Sequence, residues 1–198
     1  MTGAREVAIL IFDDVEVLDF CGPFEVFSVT GRPLGETPFK VYTVAEKSPV
    51  LTRGQLSVNP SYTLDQCPQP DILIVPGGSG TRREMHNQPL ITWIKAYSEQ
   101  AELILSVCTG ALLLAKAGLL DGLTATTHHG ALDLLKDIAP KTTVHHKRFI
   151  DTGRVITAAG ISAGIDMSLY VVSRLLGEEQ AIQTAQQMEY HWNLKEAP

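Results

Sequence analysis

A cysteine, a carboxylate and a pair of histidines are the side chains of this sequence most able to do covalent chemistry. Cys108 stands in "ELILSVCTGALLLAKAGLLDG" (102–122), between an apolar run and a stretch of small, helix-forming residues. A cysteine at the turn from a strand into a helix is carried to the carboxyl edge of a sheet, where α/β proteins place ligands. The helix N-terminus adds partial positive charge, which favours a thiolate and lowers its pKa. Free cysteine is equally one of the residue types most often buried for packing alone. Asp19, in "VLDFCGPFEVF" (17–27), follows the first strand and falls at the same edge. A carboxylate there can take a thiol proton or steer a polar substrate, or it can simply cap a helix. Glu25 reads either as a partner of the thiol or as a solvated helix residue.

Two further stretches carry candidates. "PGGSG" (76–80) closes a buried strand, and the successive amides of Gly77 and Gly78 can form an oxyanion nest. It has neither GxGxxG nor P-loop spacing, so it points away from nucleotides. The same glycines also suit a tight turn that needs positive φ. In "TTHH" (126–129), His128 or His129 could act as a base for Cys108, although a histidine is more often structural. His145 and His146 fall in a predicted strand with opposed side chains, which disfavours a shared metal and reads as surface.

The elements that must position these groups alternate between strand and helix, the pattern of a parallel α/β sheet. "EVAILIF" (6–12), "FKVYTVAE" (39–46), "DILIV" (71–75) and "ELILSVC" (102–108) read as strands, and "VLTRGQLSVNP" (50–60) as a hairpin. "TTVHHKRFIDTGRVITAAG" (142–160) reads as strand, Asp-Thr-Gly turn, strand. The run 15–31 has helical spacing, with Gly22-Pro23 expected to break or re-aim it. Helices are predicted at 89–100, 109–119, 130–140, 162–177 and 178–192. The Gly-rich "AAGISAGID" (158–166) is read as packing. No linker or repeat interrupts the 198 residues, so a single domain over 1–198 is expected.

Composition narrows the function classes. Hydrophobic residues are 44% and charged residues 19%, as in soluble α/β proteins, and the formal net charge of −6 leaves no basic stripe for nucleic acid. Three cysteines (Cys21, Cys67 and Cys108) without CxxC spacing exclude a disulfide framework or a zinc site. Reduced thiols, no signal peptide and no apolar run of about 18 residues predict a cytoplasmic protein with no membrane partner.

Together, "VAILIFDDVEVLDFCGPFEVF", "ILIVPGGSG", "SVCTGALLLAKAGLLDGLTATTHH" and "ITAAGISAGIDMSLYVV" resemble the ThiJ/PfpI superfamily, the class I glutamine-amidotransferase-like group, over nearly the whole chain. The resemblance implies a flavodoxin-like three-layer α/β sandwich with a mainly parallel sheet, the cysteine on a nucleophile elbow, no cofactor or metal, a small-molecule substrate and a homodimer. Thr109 after the cysteine, in place of a histidine, points away from the peptidase-like branch. It points toward isocyanide hydratase and the related domains of AraC-type regulators. On the hydratase pattern Cys108 attacks the isocyanide carbon, Asp19 and Thr109 position substrate and water, and an N-substituted formamide leaves. That reading expects an apolar slot at Cys108. Two positions depart from the pattern. His129 stands where Trp is usual and Cys21 where Thr is usual, so both are expected to line the pocket, where they could change the substrate, alongside Gly77 and Gly78 as substrate- or oxyanion-binding residues. Cys21 beside the nucleophile would also suit a redox disulfide. A glyoxalase-like activity on reactive carbonyls and a non-enzymatic ligand or redox sensor are the alternatives. An AraC-type regulator would continue into a basic helix-turn-helix module, which the sequence up to Pro198 does not contain.

Overall fold

The computed structural model describes residues 3–193. Its central strands are those richest in apolar residues: β1 (Arg5–Leu10), β6 (Ile72–Val75), β7 (Leu103–Val107) and β11 (Val155–Ala158). Every residue of β6, β7 and β11 is buried, the burial expected of parallel strands covered on both faces. β2 (Phe39–Ala45) and β5 (Tyr62–Thr63) extend the sheet past β1, and β10 (Phe149–Asp151) closes the far edge. The order is β10-β11-β7-β6-β1-β2-β5, and only β10 runs antiparallel, in the hairpin with β11. The five central strands, β2-β1-β6-β7-β11, follow the flavodoxin-type order, whose switch point lies between β1 and β6.

Helices cover both faces. α1 (Val17–Val29), α6 (Ala163–Leu176) and α7 (Glu178–Gln187) pack on one another on one side. On the other side α2 (Thr81–Glu84), α3 (Gln88–Gln100) and α5 (Leu132–Ile138) pack around α4 (Gly110–Lys116). The expected 50–60 hairpin is β3 (Val50–Leu51) paired with β4 (Ser57–Val58). β8 (Thr124–Ala125) pairs in parallel with β9 (Thr143–Val144) beside the main sheet. No helix among the described residues is long and apolar enough to cross a membrane.

The expected break at Gly22-Pro23 does not occur, and α1 continues through Pro23. Packing explains why. A Cβ on Gly22 would sit 3.0 Å from Ile165, and one on Gly164 would sit 3.5 Å from the Pro23 ring. The close approach to α6 offsets the cost of the amide that proline lacks. The four-residue helix α2 and the short strand β5 lie in stretches where no element is apparent from the sequence.

Candidate active site

Cys108 is the first residue after β7, and α4 begins two residues later. Its φ is +55°, the left-handed region that non-glycine residues rarely occupy. The elbow is held from both sides. The Cys108 amide donates to Ala158 O and Ala159 O at 3.1 and 3.0 Å. Thr127 Oγ1 donates to Cys108 O at 2.8 Å. A Cβ on Gly110 would lie 2.0 Å from Val75 O, so α4 can start this close to the end of β6 only with glycine at that position.

Asp19 reaches the same point from the first turn of α1 and is fully buried. Its Oδ2 accepts from the Gly77 amide at 3.0 Å. Its Oδ1 is buried and receives no N–H or O–H donor from the described residues. The carboxylate's remaining neighbour is the Cys108 thiol. Burial raises the Asp19 pKa from 3.8 to about 7, against the lowering by the Gly77 amide and the thiol. Burial also pushes the Cys108 thiol up, to about 12, and the charge of Asp19 adds to the rise, while the Thr109 amide and hydroxyl oppose it.

The thiolate-favouring helix terminus expected from the sequence therefore does not prevail. A helix terminus contributes about 0.3–1 kcal/mol. Moving a charge into a buried site beside a carboxylate shifts a pKa by several units. At neutral pH sulfur keeps its proton while Asp19, near its midpoint, is about half ionised, and the ionised fraction is the acceptor beside the thiol.

Gly77 and Gly78 do not form an open oxyanion nest. The Gly77 amide is committed to Asp19, and the Gly78 amide donates to Thr109 Oγ1 at 3.1 Å. The Thr109 hydroxyl also lies 3.1 Å from Gly78 O and 3.1 Å from Thr81 Oγ1. These glycines act as a template for Asp19 and Thr109. A Cβ on Gly77 would stand 2.4 Å from Thr109 N and 2.9 Å from Asp19 Oδ2. The loop is docked in turn on the segment before α1, through a bridge between Val15 and Gly78 and a bond from Glu16 N to Gly77 O at 3.0 Å.

A cavity of about 430 Å³ opens over Cys108 and Thr109. His128 lines it, and His129 does not. His129 instead faces a separate cavity of about 300 Å³ with His146 and Lys147, its ring 4.2 Å from that of His128. A Cβ on Gly160 would meet both His128 Cδ2 (2.4 Å) and Cys108 Sγ (3.0 Å), so ring and thiol flank one point. His128 Nδ1 accepts from the Gly130 amide at 3.1 Å, which leaves the proton of the neutral ring on Nε2. Burial, with His129 and Arg82 adding to it, holds the His128 pKa below its usual value. His128 is thus a neutral donor beside the thiol, and Asp19 is the group placed to take the thiol proton.

Cys21 also lies elsewhere than expected. Two residues of helix turn it about 200° from Asp19. It lines no part of the cavity, and its thiol is raised by burial and by Glu25, an exposed residue of the outer face of α1. It is free, as are Cys67 and Cys108. Among the described residues no group of three or more His, Cys, Asp or Glu could hold a metal ion.

The sequence reading missed the rest of the wall. Ile161 comes from the segment read as packing, and Arg53 arrives on the β3–β4 hairpin, its amide bonded to Val15 O at 2.9 Å. Arg82, Ser79 and Glu16 complete the mouth. Ser79, with Gly78, belongs to "PGGSG" and Ile161 to "AAGISAGID", whereas Glu16, Arg53 and Arg82 carry no motif. The expected apolar slot is therefore an apolar patch at Ile161 beneath a charged rim.

The chain that carries this site is similar to known proteins over most of its length. The model of the DJ-1/PfpI family matches residues 5–174. This chain belongs to the DJ-1/PfpI family. Among curated relatives, the isonitrile hydratase of Pseudomonas putida is 34% identical over 189 residues, covering 94% of this chain and 79% of that protein. The HTH-type transcriptional regulator CdhR of Pseudomonas aeruginosa is 32% identical over 178 residues, which is 90% of this chain and 53% of the regulator. The chain thus spans about half the length of that regulator. A ThiJ/PfpI family protein from Pseudomonas syringae has a TM-score of 0.87 at 29% identity, covering 96% of this chain and 77% of that one. Drosophila melanogaster DJ-1beta shares the fold, with a TM-score of 0.83 at 18% identity over 96% of this chain and all of that one.

Proposed function

We propose that this DJ-1/PfpI family member is a cysteine-dependent isonitrile hydratase, converting an isonitrile and water to an N-substituted formamide. One observation carries the reading: the fully buried Asp19 carboxylate, whose Oδ1 has no hydrogen-bond partner among the described residues, neighbours the buried Cys108 thiol, and burial raises both groups. An isonitrile carbon accepts a nucleophile and a proton at the same atom, which is what this pair can deliver. Sulfur bonds to the carbon as Asp19 takes the thiol proton and passes it to that carbon, giving a thioimidate. Asp19 then accepts a proton from water as the water oxygen attacks the thioimidate carbon. Asp19 returns that proton to the nitrogen, the C–S bond then breaks as the added hydroxyl gives up its proton through Asp19 to sulfur, and the formamide leaves. No free thiolate is needed beforehand, in keeping with a thiol raised to about 12. Thr109 holds the Gly78 loop, and with it Gly77 and Asp19, in place.

The relatedness to isonitrile hydratase supports this reading. The test is incubation of the purified protein with isocyanoacetate, its methyl ester and cyclohexyl isocyanide, following formamide from any of them by mass spectrometry. Turnover that is lost in Cys108→Ala is expected, and turnover no faster than that variant overturns the reading. The regulator relatives favour a second reading, in which the same cavity senses a ligand without turning it over. Saturable ligand binding without product would support it.

A further inference from the structure

The rim over Cys108 holds more charge than a hydrocarbon isonitrile calls for. Arg53, Arg82 and Glu16 all line the cavity. Arg53 pairs with Glu16 at 3.3 Å, which leaves one arginine of this rim without a carboxylate among the described residues. That arginine is Arg82. Its neighbour Arg83 is consumed by Glu84 (2.8 Å), Asp14 (3.2 Å) and Asp13 O (2.8 Å). Arg82 donates only to Thr81 Oγ1, at 3.1 Å, and has no carboxylate partner among the described residues. One helical step between the two residues turns one guanidinium toward acids and the other toward the cavity. The Ser79 hydroxyl lines the same mouth with no hydrogen-bond partner among the described residues, and neutral His128 keeps its proton on Nε2.

We propose that the compound taken at Cys108 carries a carboxylate, bound by Arg82 and Ser79. On the hydratase reading, on which the reaction though not the binding site rests, the substrate is a carboxylate-bearing isonitrile. A planar guanidinium with a hydroxyl beside it matches a carboxylate. A phosphate dianion would need more donors, and the Gly77 and Gly78 amides that could supply them are already committed.

Alkylation of Cys108 by iodoacetate and by iodoacetamide tests the site without assuming any enzymatic activity. In both reactions the S–C bond forms, iodide leaves and the thiol proton is lost. At one pH the thiolate fraction cancels in the ratio of the two rates, read on the Cys108 peptide by mass spectrometry. The wild-type ratio should exceed that of the denatured chain. Arg82→Ala should lower it about five- to tenfold, and Arg82→Lys should recover part of the loss. A ratio unmoved by Arg82→Ala overturns the proposal. Should Cys108 resist both reagents, calorimetric titration with butyrate decides instead: weaker binding to Arg82→Ala supports the site, and equal or absent binding to both proteins overturns it. In a separate arm, kcat/KM for isocyanoacetate should exceed that for its methyl ester about tenfold, with the preference lost in Arg82→Ala. Turnover of neither ester nor acid above the Cys108→Ala level would defeat the hydratase reading and leave the alkylation ratio to decide the carboxylate site.

Discussion

Asp19→Asn separates the charge of the buried carboxylate from its shape. Asparagine keeps the size and an acceptor for the Gly77 amide, but it cannot ionise. In the folded chain burial raises this carboxyl from 3.8 to about 7. A carboxyl raised in this way stabilises the fold while it is protonated. Its contribution is complete below 3.8 and is lost as the pH rises through about 7. Each pKa unit corresponds to about 1.4 kcal/mol, so the loss across this window is at most about 4 kcal/mol. Urea unfolding at a series of pH values should show wild-type stability falling relative to Asp19→Asn by a few kcal/mol between about pH 4 and pH 8. The same substitution removes the negative charge that raises the Cys108 thiol. Alkylation of Cys108 by iodoacetamide near pH 8 should therefore quicken, about tenfold for each unit by which the thiol pKa falls. Isonitrile turnover should nevertheless drop to the Cys108→Ala level, because no acceptor for the thiol proton remains. Stability curves that stay parallel across this window, or a thiol that alkylates no faster, would refute the coupling between Asp19 and Cys108.

Other substitutions probe the scaffold. Gly110→Ala places a Cβ 2.0 Å from Val75 O and should cost about 3 kcal/mol in urea unfolding, or leave the protein insoluble. Thr109→Val strips the Gly78 amide of its acceptor, so a loss of about 1–3 kcal/mol is expected, with slower turnover and a Cys108 that still alkylates. Asp166 accepts from Arg148 and, at 3.0 Å, from the Tyr190 hydroxyl. Asp166→Asn should lower the melting temperature by an amount corresponding to about 1–3 kcal/mol, with alkylation of Cys108 unaffected.

Much of the fold is legible in the chain because burial leaves a direct mark on residue type. β6, β7 and β11 are covered on both faces, and they are apolar throughout except for Ser106 and Thr157. The Asp-Thr-Gly turn announces the β10–β11 hairpin. Cys108 shows itself by its place between an apolar strand and a small-residue helix. The continuation of α1 through Pro23 is hidden, because the compensating contacts lie on α6, about 140 residues further along. The division of labour between adjacent residues is hidden as well. Neither "HH" nor "RR" says which member faces Cys108, since a small rotation of a short element decides it.

The sequence by itself determined the α/β alternation, the cysteine at a strand-to-helix junction and the carboxylate after the first strand. These follow from local patterns of apolarity, turn residues and spacing. Only the tertiary structure decided what the groups do to one another. Asp19 meets Gly77 across 58 positions and Gly78 meets Thr109 across 31, and those contacts turn a presumed oxyanion nest into a template. The direction of the Cys108 pKa was decided there too, because the depth of burial and the nearness of a charge belong to the assembled site and not to the residues around the cysteine in the chain. The free charge of Arg82 at the cavity mouth has the same origin: Asp13 and Asp14, which hold Arg83 and not Arg82, lie some 70 positions away and meet this helix only once the sheet has formed.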